Sequence, residues 1–424
     1  MKVLLVGGGG REHALGWKIA QSPILSKLFV APGNPGLNQI GEKVDIKPEN
    51  ISAICDFAVG HNIDLVVVGP EAPLALGLAD CLADKNIACF GASKAAARLE
   101  ASKAFTKEIC EAASAPTASY RKVKSLSEAK DYLETLSPPY VIKADGLAAG
   151  KGVVIANSRI DAEQAAADML NGQFGEASAT LVIEEFMQGE EVSFFAFSDG
   201  ERLLPLVAVQ DHKRAFDGDK GPNTGGMGAY SPAPIFTDTV LRKTMDEIIK
   251  PVIHLMRERG TPYRGVLYAG LMIHNDQPRL VEFNARFGDP ECQVLMRLLE
   301  GDLLPVLAAA ANGDLSGHTL AWRNEACANV VLAAKGYPAD YEKGSEIKGI
   351  DGANGVENVV VFHAGTKQVG AQLVANGGRV LNVTATGKNL QDAVSFAYHG
   401  VNKIDWPQGF HRRDIAWRAL SSAE

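Results

Sequence analysis

The chain has 424 residues, 46% hydrophobic and 22% charged, enough for roughly two to four domains with well-buried cores. A formal net charge of -8 leaves no global basic footprint, which argues against nucleic acid or an anionic membrane as the main partner. No apolar stretch reaches membrane-spanning length, and Met1 to Val6 is too short an apolar run for a signal peptide. The cysteines Cys55, Cys81, Cys89, Cys110, Cys292 and Cys327 show no C-x-x-C pairing or zinc-ligand spacing, so they read as scattered apolar residues of a reducing, cytoplasmic protein.

Val3 to Val6, the glycines Gly7 to Gly10 and a helical pattern from about Glu12 to Gln21 predict strand, tight turn and helix, a geometry that aims free backbone N–H groups at an anion. A nicotinamide site is disfavoured. Neither Gly7-x-Gly9-x-x-Glu12 nor Gly8-x-Gly10-x-x-His13 supplies the third glycine, and the second strand, Leu28 to Ala31, ends in Pro32-Gly33 with no acid for a ribose. The branched run Leu65 to Val68 predicts a strand buried on both faces. A helix from Leu74 to Asp84 and a strand from Ala88 to Phe90 then complete a doubly wound parallel sheet over residues 1–101. Glu71 lies on the same rim as the glycine turn and either caps a helix or faces a ligand.

From 102 to 326 the texture changes. Ser102 to Ala113 reads as a helix carrying Lys103 and Lys107. Tyr140 to Lys143 and Gly152 to Ile155 read as strands flanking the glycine-rich segment from Ala144 to Lys151. A Walker loop fails there: three residues, not four, separate Gly146 from Gly150, Gly152 follows Lys151, and a strand comes next instead of a helix. A mobile hairpin laid over phosphates, with Lys143 on its first strand, fits better. The acids near the Gly189 turn, Glu184, Glu185 and Glu190-Glu191, read by themselves as a solvated edge. Gln210 to Gly228 shows neither helix nor strand periodicity and reads as a long functional loop. After a helix from Thr239 to Arg257, Leu267 to Ile273 and Arg279 to Asn284 form a hairpin around Asn275 to Pro278. On its second strand Glu282 and Asn284, two residues apart, project from one face as paired oxygen donors, suited to a magnesium ion bridged to a nucleotide. From about Cys327 short strands and a helix near Leu390 to His399 suggest a small α+β domain over 327–424.

The motifs Gly9-Gly10-Arg11-Glu12-His13-Ala14, Gly69-Pro70-Glu71-Ala72-Pro73-Leu74, Ser102 to Lys107, Ile142 to Val153, Gln210 to Arg214, Gly221 to Tyr230 and Val281 to Glu291 occur together. Over essentially its whole length the chain resembles the phosphoribosylamine–glycine ligase family of the ATP-grasp superfamily. The resemblance implies an ATP-grasp core with a flap near 118–190. It implies ATP contacts from Lys103, Lys143, Gly150, Lys151, Gly152, Glu184, Glu185, Phe186, Met187 and Glu191, with Mg2+ or Mn2+ on Glu282 and Asn284. Gly9, Gly10, Glu71, Gly288 and Asp289 would meet phosphoribosylamine and glycine, and Asp211, Lys213 and Arg286 would serve catalysis. The implied reaction joins glycine to 5-phosphoribosylamine through glycyl phosphate, in de novo purine synthesis. The alternative is an ATP-grasp carboxylase using bicarbonate. Expected partners are the small substrates, with transient contact to the preceding enzyme.

Overall fold

Val3 to Val6 and Leu65 to Val68 become neighbouring strands with essentially no exposed surface, as their continuous branched side chains require. The computed structural model describes residues 1–146, 152–173, 175 and 179–421. The first sheet runs Glu42–Lys43, Lys27–Pro32, Lys2–Gly7, Leu65–Val68, Ala88–Phe90, every pair parallel. Strand order reverses between Lys2–Gly7 and Leu65–Val68, so a crevice opens at their carboxyl ends. Glu12, one turn into helix Gly10–Ile19, fills that crevice. Its side chain lies 2.6 Å from where a Cβ on Gly7 would sit and 2.1 Å from one on Gly69. Gly7 also has φ +122°, so two constraints make it glycine.

The expected helix from Leu74 to Asp84 is instead two short helices, Glu71–Ala75 and Leu78–Ala83, broken where Gly77 turns left-handed at φ +93°. Cys55 and Cys81 are not scattered: their sulfurs meet between helices Ile51–Gly60 and Leu78–Ala83, with Cα atoms 6.7 Å apart.

Two antiparallel sheets follow, one ordered Tyr120–Val123, Leu181–Glu185, Tyr140–Ala144, Val153–Ala156, the other Leu203–Pro205, Glu190–Asp199, Arg264–His274, Gln277–Asn284. The last two strands turn through Asn275 and Asp276, at φ 50° and 54°, the twin positive angles of a tight hairpin. Pro278 is tolerated because its strand is at the sheet edge. Register shifts by one residue here: Leu280 pairs Leu271 while Glu282 pairs Gly270, so Val281 is a bulge just before the predicted donor pair.

The segment read as an aperiodic loop is in fact strand-bearing. Gln210–Asp211 and Gly228–Ser231 are two strands of a sheet continued by Ala326–Ala334, Arg379–Gly387 and Val359–His363, and Arg214–Phe216 with Lys220–Asn223 makes a hairpin between them. Helix Leu390–Val401 begins on an Asn389 cap. The C-terminal sheet touches the first domain's glycine turn. The His363 N–H donates to His13 Nδ1 at 2.8 Å, and Asn34 Nδ2 donates to the carbonyls of Gly8 and His363, each at 2.9 Å.

Burial, aided by His363, holds His13 at about 3, and burial holds His363 at about 4. An unfolded histidine titrates near 6.5. Between those values the unfolded chain binds the extra protons, so this contribution to stability is full above about pH 6.5 and is lost as pH falls. Urea midpoints should therefore drop between about pH 7.5 and pH 5, with a shallower slope in His13→Gln; an equal slope in both proteins would refute the assignment.

Candidate active site

Ser102 caps helix Lys103–Ala112 by accepting from Phe105 N at 3.1 Å, which fixes where the two lysines on that helix emerge. The same Ser102 hydroxyl donates to Asp145 at 3.0 Å, Ala104 N donates to that carboxylate at 3.0 Å, and Lys103 Nζ reaches the Gly146 carbonyl at 3.1 Å. The root of the glycine-rich hairpin is thus tied to the helix start. One turn on, Lys107 lies 3.3 Å from Glu184 Oε1, while Lys143 lies 2.9 Å from Oε2. All three side chains are buried, so Glu184 is no solvated edge: two cations distant in sequence hold it inside. Lys143 Nζ also reaches the Val281 carbonyl at 3.4 Å, linking this sheet to the strand of Glu282 and Asn284. Burial is the largest influence on Lys103 and Lys107, pulling both below the ordinary lysine range, with Glu282 and Glu184 respectively opposing it.

The neighbouring acids differ. Glu185 is half-exposed, accepting from Ser119 N at 3.0 Å and pairing with Arg279, so its carboxylate is already engaged at the rim. Met187 is buried and Phe186 is 39% exposed. Glu191 pairs with Lys213. Gly152 closes the hairpin by accepting from Ala144 N at 2.8 Å, whereas Gly150 and Lys151 lie outside the described residues.

Glu282 and Asn284 follow the Val281 bulge, with Phe283 turned to the core between them. Among the described residues neither side chain makes a hydrogen bond or ion pair. Burial would push the Glu282 carboxyl up, but Lys213, Lys143, Lys103 and Arg286 together hold it below its ordinary value. An ionised carboxylate beside an amide oxygen, both unspent where nearly every other charge is paired, fits a hard divalent cation.

Arg286, two residues beyond Asn284, is clamped by carboxylates from the first domain: Glu100 at 2.9 Å and Glu71 at 3.3 Å. Burial opposes its charge, but those two acids outweigh it and keep the guanidinium ionised. Glu71 therefore starts its helix and also faces the site. Arg11 donates to the Phe287 carbonyl at 3.0 Å and to Glu12 at 2.6 Å. Asp289 accepts from Arg11 N at 3.3 Å and Gln293 Nε2 at 2.8 Å, with Arg379 3.9 Å away. Gly9 N donates to Glu12 at 2.6 Å; Gly10 is packed so tightly that a Cβ would lie 2.4 Å from Asn382 Nδ2. At Gly288 a Cβ would meet Glu291 Oε2 at 2.3 Å; Tyr268 and Ser193 pin the other Glu291 oxygen at 3.0 and 3.1 Å.

Asp211 is buried beside Lys213. Burial first, then Glu291 and Glu191, push it up to about 7 against the pull of Lys213. Burial would lower Lys213, but Glu191, Asp211 and Glu282 raise it. Ion pairs and electrostatic contacts link Lys103, Lys143, Glu184, Glu191, Asp211, Lys213, Glu282, Arg286, Glu71 and Asp289, and bring in Lys107, Glu100, Glu291, Arg11 and Arg379. Asn382 packs against Gly10. Lys107 was detectable as the i+4 partner of Lys103; Glu100, Arg379 and Asn382 carry no local signal.

The three family models described as phosphoribosylglycinamide synthetase N domain, ATP-grasp (A) domain and C domain match residues 1–100, 101–292 and 327–418. A phosphoribosylamine–glycine ligase of Mesorhizobium japonicum is 54% identical over 421 residues, 99% of each chain. The chain belongs to the phosphoribosylamine–glycine ligase family. The crystal structure of a phosphoribosylamine–glycine ligase from Thermotoga maritima matches with TM-score 0.87 at 32% identity, covering 98% of this chain and 100% of that one. A biotin carboxylase domain of the Hydrogenobacter thermophilus 2-oxoglutarate carboxylase matches with TM-score 0.74 at 15% identity over 97% of this chain and 91% of that one, a likeness of fold alone. The carboxylase alternative is thus disfavoured, and the enzyme is an ATP-dependent ligase.

For this ligase, Lys107→Met removes one of the two cations within ion-pair distance of the buried Glu184 carboxylate and should cost about 1–3 kcal/mol. The denaturant midpoint should fall and KM for ATP should rise while KM for glycine holds. A selective rise in the glycine KM instead would misplace Glu184.

Proposed function

We propose that this crevice joins glycine to 5-phosphoribosylamine at the expense of ATP, giving glycinamide ribonucleotide, ADP and phosphate in purine biosynthesis. The observation that carries this reading is the unspent pair Glu282 and Asn284, placed between the Lys103, Lys107, Lys143 group on one side and Arg286 on the other. A carboxylate is a poor acyl donor because its oxygen does not leave, so glycine is first converted to glycyl phosphate, which the amine of phosphoribosylamine attacks. Phosphoryl transfer asks the protein chiefly for positioning and charge.

Lys103 and Lys143 hold ATP phosphates, Glu191 faces the ribose, and Met187 with the Glu184–Glu185 strand lines the base. Glu282 and Asn284 hold Mg2+ or Mn2+, which when bound neutralises phosphate charge. Arg286 steadies the carboxylate and acyl phosphate oxygens at the turn toward the acceptor. The helix N-terminus at Gly9 and Gly10 takes the acceptor's phosphate, while Asp289 and Glu71 border its sugar. Asp211, close to neutral in affinity for its proton, receives the proton the attacking amine loses, with Lys213 beside it. The flap expected over the phosphates falls partly on residues 147–151, which lie outside the described residues. The reaction belongs in the cytoplasm; among the described residues no helix is long and apolar enough to cross a membrane. Because phosphoribosylamine is chemically labile, direct transfer from the preceding enzyme through a transient contact would shorten its exposure to water.

Glu282→Gln should lower glycine- and phosphoribosylamine-dependent ADP release by about 100 to 1000-fold with the fold intact by circular dichroism. Near wild-type turnover would remove Glu282 from the metal site, and bicarbonate-dependent ADP release without glycine would restore the carboxylase alternative.

The acid limb of kcat/KM should rise through about pH 7, because Asp211 accepts a proton only once ionised. Asp211→Asn should lose that limb; a limb that persists assigns it to another group.

A further inference from the structure

Arg412 has no exposed surface, yet it belongs to the C-terminal segment, far in sequence from the site. Its guanidinium forks onto Asp414 at 2.8 and 2.7 Å, and Nη1 also reaches Asp219 Oδ1 at 2.8 Å and the Arg214 carbonyl at 3.1 Å. The stitching runs both ways: Gly218 N donates to Asp414 at 2.8 Å, and Arg413 N donates to Asp217 at 2.8 Å. The hairpin directly after Lys213 is therefore fastened to residues 412–414 at several points.

A second contact is more pointed. The Ala416 N–H donates to His212 Nε2 at 2.9 Å, so that nitrogen is an acceptor and the ring proton sits on Nδ1, 3.8 Å from Asp219 Oδ1. Ala416 makes this bond from φ +68°, a conformation rarely adopted by alanine, so surrounding packing holds it there. The main chain of His212 is registered on both sides, its N–H on the Gly228 carbonyl at 2.9 Å and its carbonyl accepting from Met227 N at 2.8 Å. Side chains alternate faces along extended chain. With the His212 ring pinned to the tail, Asp211 and Lys213 are committed to the opposite face, toward Glu191 and Glu291.

We propose that residues 412–416 brace the acceptor loop, with Arg412 as a positioning residue that sets the orientation of Asp211 and Lys213 through Asp219 and His212. This rests on the reading that Asp211 and Lys213 serve the acceptor half of the reaction.

The test is steady-state kinetics of the full-length enzyme with Arg412→Gln, and with Asp219→Asn as the milder cut should the first fail to fold. The expected result is a tenfold or greater fall in kcat/KM for glycine or phosphoribosylamine per folded enzyme, with KM for ATP within about twofold of wild type. In the cycle with Lys213→Met, the losses should be less than additive, because part of the effect of Arg412 passes through that residue. A fall no larger than the loss of folded enzyme measured by circular dichroism overturns the proposal, as do additive losses in the cycle. If Asp211→Asn and Lys213→Met leave acceptor kinetics unchanged, the functional reading of the loop fails first, and the brace falls with it.

Discussion

The two carboxylates on Arg286 are the joint on which the catalytic crevice depends. Glu71 and Glu100 come from the first domain, and Arg286 follows the strand Gln277–Asn284, so one half-buried cation ties the glycine-turn rim to the antiparallel sheets. Taking such charges partly out of water is costly unless every member is partnered. Glu100 meets this demand by also accepting from Ala285 N at 2.7 Å. Continuous apolar packing supports the joint: one core cluster runs from Leu4 and Val66 through Phe194 and Ile248 to Phe283. The crevice wall is therefore set by packing, and its polar lining by charge matching.

That matching follows a simple rule. Glu184 has Lys107 and Lys143, Glu191 has Lys213, Arg286 has Glu71 and Glu100, and Asp289 has Arg379. Glu282 is surrounded by cations but bonded to none among the described residues. Among the described residues most of these charges are paired, and the open oxygens of Glu282 and Asn284 stand side by side on one face of the strand.

Much of this was legible in the chain. Branched runs gave the parallel sheet, the four-glycine turn gave the first helix start, and the alternation of Glu282 and Asn284 survived because the Val281 bulge precedes both. Local patterns misled where the deciding partner is distant. Glu184 reads as solvated until Lys107 and Lys143 are brought to it from other elements, and Arg379 has no signal until its strand lies beside Asp289. Strands such as Gln210–Asp211, two residues long, have no room to show alternation, so the middle segment reads as loop. The helix expected from Leu74 to Asp84 ignored Gly77, whose left-handed backbone ends one helix and starts another.

The bulge at Val281 has a consequence for the shape of this strand. Leu280 and Phe283, three residues apart, both reach the core because the extra residue at Val281 resets the alternation between them. Deleting Val281 would straighten the strand and keep Glu282 opposite Gly270, with Phe283 still in the core. The bulge therefore sets how the strand bends, while the two-residue spacing alone keeps Glu282 and Asn284 on one face.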